Sequence, residues 1–249
     1  MSIKLFKFLL FNAITIALFG FASCSSGSDD EVGNGGNGID GSTMVVKLSA
    51  AGTLASHIDD DVMYKITRLK VTGEINSTDI WLLRKMAGYE TDGVLAYLDL
   101  SDARIVAGGR PYFEDDSTEE DVMTDHMFYK CPSLVSITCP NSVKEIEWHA
   151  FGQCAGLVNV ELPSSLLKVN EPFYQDYYEY ANLKSIKCKT MIPPNGGLYG
   201  GLYGGKDAKD RFFKNVILYV PKGSMNAYEN SLSSLYFSSW GDFQNIEEY

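Results

Sequence analysis

Two consecutive segments decide the fold: FYKCPSLVSITCPNSVKEI over residues 128–146, and FGQCAGLVNVELPSSLLKV over residues 151–169. An aromatic residue, a Cys, a Leu, a β-branched residue, a Pro and a closing Ile or Val recur between them at an offset of 23 residues. A period in the twenties with Leu at a fixed phase indicates a solenoid of stacked repeats. The spacing Leu-x-x-Ile-x-Leu directs three apolar side chains inward along a short strand. Because one coil cannot bury that face alone, neighbouring coils must stack on it.

The strand position of this repeat can be followed through most of the chain. It falls on Leu69, Leu98, Ile137, Val160, Ile186 and Leu218. Residues 43–125 alternate short apolar strands with helical patterns, and the clearest helix is capped by Asn76 or Ser77 and stopped by Gly88. Strands that alternate with helices favour parallel coils. We therefore predict an α/β, right-handed solenoid of about five or six coils, of which residues 43–125 form an N-terminal α/β cap.

The repeat motif resembles a known family of surface proteins. The pattern Phe-x-x-Cys-x-x-Leu-x-x-Ile-x-x-Pro-x-Ser is similar to the BspA-like leucine-rich-repeat family of anaerobic bacteria. Its closing segment is matched by residues 220–224, Tyr228, Trp240, Phe243 and Ile246. These motifs cover about residues 126–249, and residues 43–125 resemble the start of such proteins on weaker motifs. The resemblance implies a curved leucine-rich-repeat solenoid used for adhesion or recognition, with no catalytic residues.

The N-terminal residues are expected to lie outside the solenoid. Lys4 and Lys7 precede an apolar run over residues 8–21, which has the length of a secretory signal and is short for a membrane span. The run ends in Phe21-Ala22-Ser23-Cys24, which resembles the lipobox of bacterial lipoproteins, with Phe where Leu is usual. We predict a lipoprotein signal peptide over residues 1–23 and lipid on Cys24. An ordinary cleaved signal peptide is the alternative.

A polar segment follows the predicted lipidation site. Residues 24–42 are rich in Ser, Gly, Asn and Asp, a composition that predicts a flexible tether. Within it, Ser28-Asp29-Asp30-Glu31 resembles the acidic export signal of some surface lipoproteins. We therefore expect an outer membrane lipoprotein, exposed on the cell surface of a Gram-negative bacterium, whose solenoid domain spans residues 43–249.

The charge balance excludes two classes of partner. The formal net charge is -11, and cleavage after residue 23 removes two lysines and no acid, which leaves -13. An acidic module repels phosphate backbones, so we expect no nucleic acid partner. The sequence has no basic amphipathic stretch, so membrane contact is expected only through the N-terminal lipid.

The candidate metal and catalytic residues do not form a recognisable constellation. Four cysteines occupy core phases of the repeat and are predicted to be buried thiols: Cys131, Cys139, Cys154 and Cys188. A disulfide between Cys131 and Cys154 stays open. The histidines are scattered over different coils, at His57, His126 and His149. Residues 200–206 have the spacing of a phosphate-binding loop, but Asp207 stands where Ser or Thr must bind magnesium. We predict no enzymatic activity, no metal site and no cofactor.

The acidic segment over residues 114–125 is expected to be a solvated insertion. It lacks the alternating acids and the central Gly of an EF-hand calcium loop. Ser117 or Thr118, with Glu120 or Asp121 three residues later, predicts a capped short helix. Adventitious cation binding at this segment stays open.

Recognition must use outward residues and insertions, because packing consumes the inward phases. The bulge over residues 173–180 holds five aromatic residues, of which Phe173 or Tyr174 takes the core phase of Phe151. Rigid amphipathic side chains concentrate binding energy, whereas tyrosines in the glycine-rich loop 195–207 lose more entropy on ordering. We therefore predict ligand contacts at Tyr177, Tyr178 and Tyr180, and secondary contacts at Tyr199 and Tyr203. The alternative is that the bulge aromatics only fill an expanded coil.

These observations predict a function in recognition. The leading hypothesis is a lipid-anchored adhesion or binding module that recognises a host or bacterial protein at the cell surface. The alternative is a glycan-binding lipoprotein that assists polysaccharide capture, which the Tyr cluster and the acidic surface suggest.

Overall fold

Short strands recur along the chain with the spacing of the repeat. A computed structural model describes residues 43–173, 182–198, 212–231 and 239–249. The strands are β1 (Met44–Lys47), β2 (Arg68–Ile75), β3 (Tyr97–Asp99), β4 (Ala103–Ile105), β5 (Gly108–Phe113), β6 (Asp116–Thr118), β7 (Val122–Met123), β8 (Ser136–Thr138), β9 (Glu145–Ile146), β10 (Asn159–Leu162), β11 (Lys168–Asn170), β12 (Ser185–Cys188), β13 (Asn195–Gly197), β14 (Ile217–Val220) and β15 (Asn245–Glu248).

Helices are few and short by comparison. They are α1 (Asp60–Met63), α2 (Ser77–Met86), α3, described over residues 212–215, and α4 (Met225–Glu229). Two 3-10 turns lie at Leu54–His57 and Trp240–Asp242.

The main sheet is the stacked face of the repeat. Its order is β1-β2-β3-β8-β10-β12-β14-β15, with β4 paired to β2, and these pairings are parallel. The predicted phase positions align as direct partners on adjacent strands: Leu69, Leu98, Ile137, Val160, Ile186 and Leu218. Met44 pairs with Leu69 and Ile246 pairs with Leu218, so these two residues extend the row of phase positions at its ends. The parallel sheet with few helices fits the predicted repeat solenoid; the number of coils and the capping role of residues 43–125 stay predictions.

A second parallel sheet and an aromatic stack repeat with the same period. The second sheet has the order β13-β11-β9-β7, and its register pairs Ile146 with Val169, the closing positions of the two clearest units. In the core, Phe151 stacks on Phe128 at 6.3 Å and on Phe173 at 5.5 Å between ring centroids. The three rings are buried. Of the two residues predicted for the core phase of Phe151, Phe173 is therefore the one that takes it.

Helix α2 is tied to the first 3-10 turn by one buried carboxylate. The predicted cap at Asn76 is confirmed, because its side chain accepts a hydrogen bond from the Thr78 amide. Asp79, which is buried, accepts from the Asn76 amide at 3.0 Å and from the Leu54 amide at 2.9 Å. These bonds satisfy backbone donors that a helix start leaves unpaired. They fix the position of α2 and of Arg84 on it.

The predicted short helix in the acidic segment is wrong. Residues 108–118 form an antiparallel hairpin of β5 and β6. Thr118 does not cap a helix, because its hydroxyl contacts the Ser77 hydroxyl at 3.1 Å and donates to the Val106 carbonyl at 2.7 Å. The segment is also not simply solvated, since Asp121 is buried and pairs with Arg104 at 3.2 Å.

The start of the predicted glycine-rich loop is a strand. Residues 195–197 pair with β11 as β13. Gly196 has φ +90°, and a Cβ at this position would lie 1.9 Å from the Val169 carbonyl oxygen. Glycine is therefore required here by the close approach of two strands.

Truncation of the aromatic stack should destabilise the whole solenoid. We expect Phe151→Ala to lower the free energy of unfolding by about 3–5 kcal/mol, because it leaves a cavity between two stacked coils. Urea unfolding of the full chain measures the loss. Leu167→Ala is the control: this side chain is 63% exposed, and its removal should cost under about 0.5 kcal/mol. Similar losses for the two variants would contradict the assigned core.

Candidate functional site

Ring side chains from adjacent coils and from the end of α2 contact one another in a continuous line. They are Tyr89, Phe113, His126, Tyr129, Trp148 and His149, and we call them the aromatic row. The Phe113 centroid lies 6.2 Å from that of Tyr89 and 4.9 Å from that of His126. The His149 centroid lies 5.1 Å from that of His126 and 4.8 Å from that of Trp148. Trp148 is exposed and the other rings are half-buried. The row thus presents aromatic surface to solvent across several coils.

Two histidines form the centre of the row. His126 Nε2 lies 3.2 Å from His149 Nδ1, and His126 Nδ1 lies 2.9 Å from the Asp116 carboxylate. If His126 is neutral, Nδ1 donates to Asp116 and Nε2 accepts from His149. The expectation that the histidines are scattered is therefore wrong for this pair. The signal was in the sequence, because the two residues are 23 apart and share one phase of the repeat.

Trp148 is the exposed end of the row and is held in one orientation. Its side chain is 49% exposed. Its ring stacks on His149 with an interplanar angle of 17°, and its Nε1 donates to the Glu171 carboxylate at 3.0 Å. A side chain fixed by a stacking contact and a hydrogen bond loses little entropy on binding a partner. Sequence reasoning missed this residue, because a ring outside the inward phases leaves no apolar periodicity.

The outward face of the main sheet is the other extended surface, and several of its charges are already paired. Lys70 lies 3.2 Å from Asp99, and Lys187 lies 3.6 Å from Glu161. Exposed ion pairs of this kind contribute little energy, and a partner would have to desolvate them. The aromatic row is therefore the stronger candidate for recognition.

Two acidic side chains flank the row. Burial raises the pKa of Asp125. Burial also raises the pKa of Glu147, and the negative charges of Asp125, Glu145 and Glu119 add to that effect. These carboxyl groups therefore carry their charge at an energetic cost in the folded protein.

An open groove adjoins the other end of the row. Its volume is about 490 Å³. Its wall combines the rings of Tyr89 and Phe113 with the polar side chains of Glu90, Lys130 and Gln153. Aromatic faces beside a few polar groups are typical of small-ligand sites.

The sequence-predicted site residues have different outcomes. The predicted ligand contacts Tyr177, Tyr178, Tyr180, Tyr199 and Tyr203 lie outside the described residues, as does Cys24. The prediction of buried thiols is confirmed: Cys131, Cys139, Cys154 and Cys188 are buried and free in this structure. Burial raises the pKa of Cys131, Cys139 and Cys188, which leaves these thiols poorly nucleophilic.

Comparison with known families identifies the repeat. Residues 121–193 match the family described as BspA type leucine rich repeat region, in six copies. This segment is a BspA-type leucine-rich-repeat region. The resemblance inferred from the motif is thereby confirmed over residues 121–193. No curated protein matches the chain.

The leucine-rich-repeat region carries most of the aromatic row, including both histidines and Trp148. Such regions are typically binding modules and not enzymes, which indicates a protein-binding or adhesion-type role. In the part of the chain that the structure describes, no group of three or more His, Cys, Asp or Glu side chains could hold a metal ion. Across those same residues, no helix has the length and apolar character needed to cross a membrane.

Removal of the Glu147 charge should stabilise the protein at neutral pH. Folding raises the pKa of Glu147, so the folded state disfavours the ionised form. That penalty is absent below about pH 4, where the carboxyl is protonated in both states; it grows as the pH rises from the ordinary pKa of Glu to the raised pKa, and it is complete above that. Glu147→Gln should therefore unfold at higher urea than wild type at pH 7 and at equal urea in acid.

Asp99→Asn is the control, for which we expect a change in stability of the opposite sign. Burial alone would raise the pKa of Asp99, but hydrogen bonds from Ser101 and Lys70 outweigh it and lower the pKa. The Asp99 carboxylate stabilises the fold above about pH 4, and this contribution is lost as the pH falls through the lowered pKa. Asp99→Asn should be less stable than wild type at pH 7. Shifts of the same sign in both variants would contradict these assignments.

Proposed function

We propose that this protein is a lipid-anchored binding module that recognises a host or bacterial protein at the cell surface through the aromatic row. The observation that carries the proposal is Trp148, an exposed indole held by stacking on His149 and by a hydrogen bond to Glu171. Rigid aromatic side chains are the commonest sources of binding energy at protein interfaces. A protein partner would cover the face of the indole, and the indole N–H would keep its hydrogen bond to Glu171.

The arrangement of the row suits a protein surface. Its rings contact one another across several coils, so a partner would meet an extended strip and not a single point. Ion pairs along the main sheet leave that face with less binding energy to offer. We therefore place the centre of the interface at Trp148 and Tyr129, with the acids Asp125 and Glu147 at its edge.

Glycan capture is the second candidate function. It is favoured by the exposed face of Trp148 and by the groove beside Tyr89 and Phe113. The flat apolar face of a sugar ring packs well on an aromatic ring. Arrays of purified surface proteins and of glycans, probed with the full chain, separate the two functions.

Replacement of the exposed indole should weaken binding to the partner that the protein array returns. We expect Trp148→Ser to reduce affinity by on the order of 2 kcal/mol, the scale of an interface hot spot. Ile192→Ser is the control, since this side chain is 76% exposed and outside the row. The triple variant with Ser at Tyr177, Tyr178 and Tyr180 tests the sequence-predicted contact in the same assay. Unchanged affinity in Trp148→Ser would contradict the assignment of the binding surface to the aromatic row.

The proposed anchor is lipid on Cys24. The apolar run before Cys24 and the polar segment behind it support this proposal. Radiolabelled fatty acid should enter the wild-type protein and not the variant Cys24→Ala. Equal labelling of the two proteins, or a mature N-terminus at another residue, would contradict the anchor and with it the proposed place at the outer membrane.

A further inference from the structure

A fully buried arginine lies behind the groove. Arg84, on α2, is 0% exposed. Its guanidinium carbon lies 4.1 Å from the centroid of Tyr89 and 5.1 Å from the centroid of Phe113. Both rings line the groove, so the positive charge sits directly behind the aromatic wall.

The charge of Arg84 is only partly compensated. Its Nη1 donates to the backbone carbonyls of His126 and Met127. Its Nε and Nη2 are buried and have no hydrogen-bond partner of good geometry, although the guanidinium interacts with the Tyr89 side chain and opposes the rise of its pKa. Among the described residues, no carboxylate lies within ion-pair distance of it. A buried ion without a counter-charge is costly, and its field is screened less than that of a surface charge.

The groove adds a second cation, Lys130, whose ammonium lies 5.2 Å from the centroid of the Tyr129 ring. Lys130 is exposed, lines the groove and forms no ion pair with any described residue. The one acidic lining residue, Glu90, is held by Lys85 at 3.3 Å. The lining itself holds one cation and one anion, so the positive charge around the groove comes from Arg84 behind its wall and from Lys85 beside Glu90, on a protein whose formal net charge is -11. A local charge opposite to that of the whole molecule points to an anionic ligand group.

We propose that this groove binds an acidic sugar, with the carboxylate facing Lys130 and the ring packed on Tyr89 and Phe113. The rings of Tyr89 and Phe113 line the groove, and the ring surface that Arg84 and Lys85 leave uncovered suits the apolar face of a sugar ring. Gln153 and Glu90 supply polar groups for its hydroxyls. The volume of about 490 Å³ accommodates one or two sugar units, within the range of small-ligand pockets.

A single negative charge fits this groove better than a phosphate does. The acidic surface of the protein repels multiply charged ligands more strongly than singly charged ones. The Tyr89 hydroxyl is neutral at physiological pH, and burial and the neighbouring Glu90 raise its pKa further. The groove offers neutral hydrogen-bond donors, and its surroundings carry net positive charge. A ligand with one carboxylate and several hydroxyls matches this combination.

Arg84 also has a structural role, which the experiment must separate from ligand binding. Its bonds to two carbonyls join α2 to the turn before Phe128. If Arg84 were purely structural, its replacement would lower stability and would leave the preference for a charged ligand unchanged. Lys130 has no such role, because it is exposed, and it provides the variant that should fold normally.

The proposal rests on glycan capture, the second candidate function, for which it names the ligand class, and it is independent of protein recognition through Trp148. Trp148 does not line the groove, so Trp148→Ser should leave sugar binding unchanged while it weakens the protein partner. Loss of sugar binding in Lys130→Gln with protein binding retained would show two independent sites.

The test is calorimetry of the full chain with sialyllactose and with a glucuronic-acid-terminated disaccharide. The matched probes are the methyl esters of the two acidic sugars, which keep the sugar units and lack the charge. We expect at least one acidic probe to bind tenfold or more tightly than its neutral counterpart. Lys130→Gln should abolish that difference, Arg84→Met should reduce it, and the control Lys222→Gln, at an exposed lysine outside the groove, should retain it.

Four results would overturn the proposal. They are equal binding of the acidic probes and their neutral counterparts, full affinity for the acidic probes in Lys130→Gln, complete competition by equimolar sulfate, and binding of peptides with a free C-terminal carboxylate in place of the sugars. If Arg84→Met does not fold, Lys130→Gln alone decides the outcome.

Discussion

Register between stacked coils is the constraint on which the rest of the structure depends. No coil can bury its own apolar face, so the inward side chains of each unit must meet those of the next. The direct partnership of Ile137 with Val160, and of Val160 with Ile186, satisfies this requirement in the main sheet. The stack of Phe128, Phe151 and Phe173 satisfies it in the core. A slip by one residue would turn each buried side chain toward solvent.

The same register aligns side chains that the core does not use. His126 and His149 meet because they share a phase on adjacent coils, and Trp148 is fixed by its contact with His149. The aromatic row is therefore a by-product of the repeat that recognition can use. Insertions then add what the repeat lacks: the hairpin residue Phe113 extends the row toward the groove, and α2 brings the charge of Arg84 behind it.

Much of the fold could be predicted because apolar periodicity encodes the direction of side chains. The phase positions from Leu69 to Leu218 align as their spacing indicates, and the cap at Asn76 follows from local chemistry alone. The hairpin ending at Thr118 could not be predicted, because the deciding partner, Ser77, is 41 residues away. The row was missed for a related reason: contacts between outward side chains leave no apolar pattern, and only the 23-residue spacing of His126 and His149 marked them.

Directed disulfide formation tests the stacking register most directly. Ser136 and Asn159 are direct partners on β8 and β10, and Asn159 and Ser185 are direct partners on β10 and β12. The double variant Ser136→Cys/Asn159→Cys should oxidise readily, since neighbouring strands lie about 5 Å apart. Ser136→Cys/Ser185→Cys should stay reduced, because its positions are about two strand spacings, ~10 Å, apart. Equal oxidation of both pairs, or of the second alone, would contradict the stacked register and the account built on it.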